Sequence, residues 1–271
     1  MLLVTYNIHF GLGADNRYDI DRVADVVAQA DIVCLQEVVQ GWALNAYADQ
    51  AAEIAHRLDR YVWFHAPVDS DASERGPDGC LVNRRRTFGN ALLSRWPIRT
   101  ATGHILPKSA LAAGFDLQRG FIEAMVAAPG RDLRIYNAHL TDHSPARRAP
   151  QLSTLLRVVS QARAHGPMWD NVTESLVGFG EPAPRVPDDA IIMGDFNFRP
   201  EDPEYLQVCA ALADAWRLAG NAEDRHSFPQ WGRIDHCFVT PSVAPHVRRA
   251  WIDDGTAASD HWPLFVEIDR A

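Results

Sequence analysis

The sequence predicts an α/β or α+β fold in which sheet packs on sheet with helices outside. Two observations carry this: short apolar or β-branched runs of strand length recur along the chain, and stretches of helical periodicity are set between them. Strands are expected at Leu2–Ile8, Asp31–Glu37, Tyr61–His65, Gly89–Ser94, Gly120–Ala128, Asp132–His139, Ala190–Asp195, Ile234–Thr240, Val247–Ile252 and His261–Ile268. Helices are expected at Ile20–Gln29, Ala43–Leu58, Ala146–Ala164 and Pro203–Leu212, the last with proline in its first turn, where a missing N–H costs nothing. A length of 271 residues with 47% hydrophobic composition supplies a substantial core. No internal repeat or low-complexity linker interrupts the chain. Two segments stand out as excursions: Asp69–Arg86, rich in Asp, Gly and Arg, and Gly166–Asp188, rich in Pro and Gly. The first reads as a mobile surface loop and the second as a lid or wall beside a site, although an ordinary surface insertion accounts for either.

A formal net charge of −9 opposes the nonspecific attraction that dominates nucleic-acid affinity, which counts against long duplex DNA without excluding it. Lys108 is the sole lysine, and Arg84–Arg85–Arg86 is the one compact basic run: a solvated loop, or a grip for an extra phosphate. Cys34, Cys80, Cys209 and Cys237 form no C-x-x-C pair and read as free core thiols, as in a reducing cytosol. The chain opens on a strand-like run without a basic n-region or full hydrophobic h-region, and no apolar stretch reaches membrane-spanning length. A soluble cytoplasmic protein is expected, unless a leader was removed before this numbering begins.

Polar residues recur at the carboxyl ends of the apolar runs, where buried backbone gives way to a cleft and where α/β folds place ligands. Asn7, Glu37, His139 and Asp195 each end such a run, Asn197 follows two residues on, and Asp260 and His261 open the last strand. Any one alone reads as a strand-end cap or turn residue; together they form a set of amides, carboxylates and imidazoles. Carboxylate and amide oxygens favour Mg²⁺, Mn²⁺ or Ca²⁺, whereas zinc sites recruit closely spaced histidines or thiolates. In Gly194–Asp195–Phe196–Asn197 the two polar side chains at i and i+2 share one face of an extended backbone and can act on the same phosphate. His261 can carry a proton near neutral pH, and Asp235 offers a partner to set its tautomer. No Ser or Cys sits in a nucleophile-elbow context, so an acyl-enzyme route lacks support.

The ordered series Thr5–Tyr6–Asn7–Ile8–His9, Leu35–Gln36–Glu37–Val38, Gly89–Asn90–Ala91–Leu92–Leu93–Ser94, Gln118–Arg119–Gly120, Asn137–Ala138–His139–Leu140, Gly194–Asp195–Phe196–Asn197, Arg233–Ile234–Asp235–His236 and Ser259–Asp260–His261–Trp262–Pro263 closely resembles the endonuclease/exonuclease/phosphatase superfamily. The short motifs are weak singly and strong in this order, and they cover nearly the whole chain. The resemblance implies one domain over residues 1–271, an α/β four-layer sandwich of two packed, mostly antiparallel β-sheets flanked by helices, with the site at one end. It implies Glu37 as principal ligand of one divalent cation, Mg²⁺ or Mn²⁺, with Asn7 and Asp260 completing the shell. Asp195 matches the carboxylate that orients or deprotonates the attacking water, and Asn197 the amide that holds a phosphoryl oxygen. His139 and His261 match the imidazoles that bond the scissile phosphate, and Asp235 the partner of His261. Asn90 and Arg119 read as substrate contacts or as structural hydrogen bonds. His9 reads as a strand histidine with its bonds satisfied, or as a residue lining the mouth. Asp142, His143, Arg147 and Arg148 read as solvated helix-start charges, or as a substrate rim.

The expected reaction is in-line attack of water on phosphorus without a covalent intermediate. Loops rather than core choose the substrate in such a fold. The acidic balance ranks a small phosphodiester or phosphomonoester, including nucleotides and lipid head groups, above a polymer. Trp42, Trp169 and Trp231 are available to wall such a ligand. A structure-selective or single-strand nuclease is the alternative and requires a basic surface assembled from Arg84, Arg85, Arg86, Arg147 and Arg148. A catalytically silent phospho-ligand-binding member would require the loss of a carboxylate or imidazole from the set, and every position is filled.

Overall fold

The computed structural model describes residues 1–110, 116–169 and 185–269. Two six-stranded sheets face each other. The first is ordered β13-β14-β1-β2-β6-β3, from β1 (Leu2–Asn7), β2 (Ile32–Gln40), β3 (Tyr61–Asp71), β6 (Arg85–Ser94), β13 (Val247–Ile252) and β14 (Leu264–Ile268). The second is ordered β11-β12-β10-β9-β8-β7, from β7 (Ile98–Ile105), β8 (Gly120–Ala128), β9 (Arg131–His139), β10 (Ala190–Asp195), β11 (Ala213–Asp214) and β12 (Asp235–Val239). A small ribbon pairs β4 (Glu74–Arg75) with β5 (Leu81–Val82). The helices are α1 (Ile20–Val27), α2 (Gln50–Leu58), α3 (Pro145–His165), α4 (Pro203–Cys209) and α5 (Ala215–Leu218). Pairing is antiparallel except at β1/β2 and β9/β10, joined by crossovers that carry α1 and α3.

Period-two alternation produces the layers. In β1, Leu3 joins the core between the sheets, with Ile32, Leu92, Ile122, Ile135 and Met193. Val4 and Tyr6 face the other way, against Val23 and Val27 of α1 and Ile54 of α2. On the far side of the second sheet, Tyr136, Ile192 and Phe238 pack on Leu152 and Leu155 of α3 and Val208 of α4. Asp19 and Asp49 cap α1 and α2 by accepting from the amides of Arg22 (3.2 Å) and Ala52 (3.0 Å). The four-layer sandwich expected from the sequence is what forms.

One buried polar network stitches the sheets together. The Asn137 amide donates to Leu35 O (3.0 Å) and Ala91 O (2.9 Å) and accepts from Gln36 Nε2 (2.7 Å). Asn90 Nδ2 donates to Gly120 O (3.1 Å) and Asn137 O (3.2 Å). Replacing Asn137 by alanine removes the side-chain donor from two core carbonyls and one acceptor from Gln36, whose amide keeps Thr5 Oγ1 and Cys34 O; a loss of about 3 kcal/mol is expected. The shift in the urea-unfolding midpoint measures it, and a change below about 1 kcal/mol would show the network to be dispensable.

Several expectations are corrected. Ala43–Leu58 is not one helix: a 3-10 turn at Ala43–Asn45 precedes α2, and Ala46 and Tyr47 at φ 51° and 65° break the periodicity between them. The Asp69–Arg86 segment is not a loop, because β3 and β6 extend into it as a paired hairpin carrying the β4/β5 ribbon. The edge strand β7 was not expected, since its Ile-Arg-Thr-Ala-Thr-Gly-His-Ile run lacks an apolar face. The last strand begins at Leu264, which leaves Asp260 and His261 in the loop before it. Only Cys34 and Cys237 are buried; Cys80 and Cys209 are exposed. Most of the predicted lid, residues 170–184, lies outside the described residues.

Candidate active site

Strand register assembles the site. Asp195, the last residue of β10, lies opposite His139, the last of β9, and opposite Asp235, the first of β12. Asn7 ends β1 in the facing sheet and donates from Nδ2 to Asp195 Oδ2 at 3.0 Å. The site therefore sits where β1, β9 and β10 end at their carboxyl termini. Close approach is required at Gly194, where a Cβ would lie 1.9 Å from Ala138 O.

Glu37 arrives by a different route. It lies within β2 rather than at its end, in a β-bulge: Leu35 pairs with Ala91 and Val38 with Gly89, so β2 carries one extra residue there. Its φ of 58° is left-handed, an uncommon and strained conformation for a side chain of this size, which persists only where the surroundings enforce it. The bulge turns Glu37 out of the alternation and into a cavity of about 370 Å³, which it lines with Asn7, His139, Asp195, Asn197, Asp260 and His261. Burial raises the proton affinity of its carboxyl, against the lowering influence of Arg119, His261 and the Asn7 amide.

The proton affinities of the two imidazoles are pushed in opposite directions. For His261, burial works against the charged form, but the Asp235 carboxylate, bonded to Nδ1 at 2.9 Å, outweighs it together with Asp195 and Asp260, and the pKa is pushed up to about 10. His139 is pushed well below its ordinary value by burial, by Arg119 and by His261. The Nη1 of Arg119 lies 2.9 Å and 3.1 Å from the two ring nitrogens, and since a guanidinium only donates, a neutral ring must accept. Asp195 lies between them, its Oδ2 3.5 Å from His139 Nε2 and 3.8 Å from His261 Nε2. Its Oδ1 accepts from the backbone N–H of Asn197 at 3.0 Å. Burial and the charge of Asp235 raise its pKa well above that of an ordinary carboxylate.

Asp195, Asp235 and His261 present ligand atoms within 4.8 Å of one another. The Asp235–His261 hydrogen bond uses one of those imidazole nitrogens, and the strong proton affinity of the ring competes with a metal for the other. This trio is better suited to handling protons than to holding a cation. Glu37, Asn7, Asp260, Asp142 and Asn197 are the other carboxylate and amide side chains that line the cavity.

Other side chains fall differently from the sequence expectation. Asn90 is spent on the sheet-to-sheet bonds described above and is not among the residues lining the cavity. Arg119 lines the cavity but bonds His139 and, through Nη2, Asp142 at 3.3 Å. His9 belongs to a turn after β1, not to a strand, and lies at the mouth with Nδ1 3.7 Å from Asp260. Asp142 lines the cavity and is also solvated, its side chain 59% exposed. Trp231 also lines it, whereas Trp169 is not among its lining residues. Sequence reasoning missed Phe10 and Phe228; the Phe228 ring lies 4.8 Å from that of His261. Each is an isolated aromatic in a turn, with no spacing to betray it.

Among the described residues, four of the five arginines that a nuclease surface would draw on are paired with acids, and Arg86 is exposed. Arg84 pairs with Glu74 (2.8 Å), Arg85 with Asp69 (2.7 Å) and Arg147 with Asp116 (3.2 Å), while Arg148 is buried against Glu204 (3.2 Å).

The endonuclease/exonuclease/phosphatase family model matches residues 4–261. The chain belongs to this family. Its members are hydrolases of phosphoesters, and the fold here is theirs. Among solved structures, an endonuclease/exonuclease/phosphatase from Beutenbergia cavernae DSM 12333 is similar at 22% identity and a TM-score of 0.66, covering 98% of this chain and 70% of that one. The mannosyl-6-phosphatase of Bacteroides thetaiotaomicron VPI-5482 is similar at 18% identity and a TM-score of 0.62, with both chains covered in full at 100%. The human Nocturnin catalytic domain, solved with a bound sulfate anion, is similar at 18% identity and a TM-score of 0.61, covering 98% and 92%. No curated protein matches the chain by sequence. At such identities the family likeness extends to the fold and leaves the substrate open. Among the described residues no helix is long and apolar enough to cross a membrane.

Proposed function

We propose that residues 1–271 act as a single catalytic domain that hydrolyses a small phosphodiester or phosphomonoester, such as a nucleotide or lipid head group, by direct in-line attack of water with one divalent cation, Mg²⁺ or Mn²⁺. The observation that carries this reading is the placement of His139 and His261, at 3.5 Å and 3.8 Å, around one buried carboxyl group, Asp195, in the cavity that Glu37 also lines. The four free thiols suit a reducing compartment.

The residues present fit a hard cation. Among the described residues the one basic side-chain nitrogen within 4.0 Å of the Glu37 carboxylate is Nε2 of His139, so no arginine or lysine pairs directly with this half-buried carboxylate. Glu37, with Asn7 and Asp260, would hold the ion through oxygen donors. Such an ion supplies Lewis-acid charge to the phosphoryl oxygens. Asp195, with its raised proton affinity, orients the attacking water and takes its proton. The His261 imidazolium, held by Asp235, and the His139 ring, held neutral by Arg119, bond the phosphoryl oxygens as negative charge develops. One N–H of the Asn197 amide is used on Leu140 O at 3.0 Å, and the other is available to a phosphoryl oxygen. The pairing of Arg84, Arg85, Arg147 and Arg148 with acids favours a small substrate over a single-strand or structured nucleic acid.

The test is hydrolysis of bis-p-nitrophenyl phosphate and p-nitrophenyl phosphate with and without EDTA, by wild type and His261→Ala. Expected is turnover that requires Mg²⁺ or Mn²⁺, is abolished by EDTA, and falls by at least about 10²-fold in the variant. A diester preference points to a phosphodiesterase and a monoester preference to a phosphatase. Absence of turnover of either compound with any divalent ion would remove the proposal.

A further inference from the structure

Beside the catalytic cavity lies a second, of about 240 Å³, lined by Phe10, Val39, Trp42, Leu44, Phe88 and Leu117. Every one of these side chains is apolar or aromatic. The single polar atom among them, Trp42 Nε1, is spent on Thr87 O at 2.8 Å. The two cavities adjoin: Phe10 lines both, and the Phe88 ring lies 6.3 Å from the His139 imidazole and 5.9 Å from the Arg119 guanidinium. A group attached to phosphorus in the first cavity therefore has carbon-lined space within its reach.

The rim is held in place by unusual backbone. Phe10 adopts a φ of 56°, and Ala46 and Tyr47 adopt 51° and 65° just beyond the turn that carries Leu44. Leu44 is thereby left 51% exposed and Trp42 36%. Strain of this kind concentrates at ligand clamps, and contiguous apolar surface beside a polar cleft is typical of a binding site.

We propose that this second cavity receives an apolar substituent of the substrate, an aromatic ring or short alkyl chain esterified to the same phosphate, and so selects esters that carry one. The proposal rests on the phosphoesterase reading. Continuity with the catalytic cavity argues for this occupant over a second copy of the chain, which would cover Leu44 without entering toward Phe88.

Hexyl p-nitrophenyl phosphate and methyl p-nitrophenyl phosphate share a leaving group and differ only in the retained substituent. The wild-type enzyme is expected to prefer the hexyl ester by about tenfold or more in kcat/KM. Leu44→Asp and Leu117→Ala should each bring that ratio towards one, while Leu206→Asp, at an exposed apolar residue of α4 outside both cavities, preserves it. No preference in wild type, or the same preference in Leu44→Asp and Leu117→Ala, overturns the proposal. So does a change in sedimentation of Leu44→Asp at an unchanged ratio, which assigns the patch to self-association. If neither ester nor p-nitrophenyl phosphate is hydrolysed with any metal, the phosphoesterase reading fails by itself. Calorimetry with hexylphosphonate and methylphosphonate then decides the cavity: tighter hexyl binding that is lost in Leu44→Asp supports it, and equal or absent binding overturns it.

Discussion

Replacing Glu37 by glutamine is expected to lower kcat/KM by about 10³-fold or more while leaving the fold intact. The substitution is nearly isosteric and removes the one charge that the bulge in β2 turns into the cavity. A loss of that size corresponds to about 4 kcal/mol of transition-state stabilisation, the scale associated with charge placed at a developing oxyanion. Stability should respond in the opposite sense. Burial raises the Glu37 pKa in the folded state, so the fold loses stability as pH rises from the ordinary carboxylate value through the folded one, and the uncharged amide escapes this cost. In EDTA at neutral pH the variant should melt no lower than wild type, whereas added Mg²⁺ should raise only the wild-type Tm. Equal Mg²⁺ stabilisation of both proteins would show that the cation is held elsewhere.

The second large effect is expected from Asp235→Asn. Asp235 is the main reason that His261 holds its proton up to about pH 10, overcoming the burial that works against it. A histidine whose folded pKa is raised contributes stability that is fully present below about pH 6.5, its ordinary value, and is lost as pH rises through the folded value. Metal-free wild type should therefore lose stability between pH 6.5 and 10, with a shallower slope in the variant. With the carboxylate gone, burial dominates and the ring becomes neutral near physiological pH. Activity should fall by about 10²- to 10³-fold, and the alkaline limb of kcat/KM should move down towards neutrality. Imidazole ¹⁵N shifts report the same titration without turnover. An unchanged His261 titration in the variant would rule out Asp235 as the group that holds its proton.

Much of the site was legible because its chemistry coincides with strand ends. Asn7, His139 and Asp195 close apolar runs, and such runs end where the sandwich ends, so a change from apolar to polar marks the cleft. Glu37 was legible in identity but not in cause: it looked like a strand terminus and is a left-handed bulge inside β2. Asn90 misled because an amide that bonds carbonyls across two sheets has the same local sequence as one that meets substrate. Arg119 was identified as a site residue, yet its bond to His139 joins residues distant in sequence. The arginines of the supposed basic surface were visible, and their acidic partners were not, since Asp69, Glu74, Asp116 and Glu204 reach them only once the chain is folded.

The sequence by itself determined the layers and the inventory. Period-two and helical alternation decide which faces are apolar, and these are local properties of the chain. It also determined the family, because the motifs keep their order. The protonation states, the cavity and its apolar neighbour were decided only by the tertiary structure. Burial, charge pairing and register are sums over residues far apart in sequence, and the opposite pKa shifts of His139 and His261 arise from Arg119 and Asp235 brought to them by strands β8 and β12.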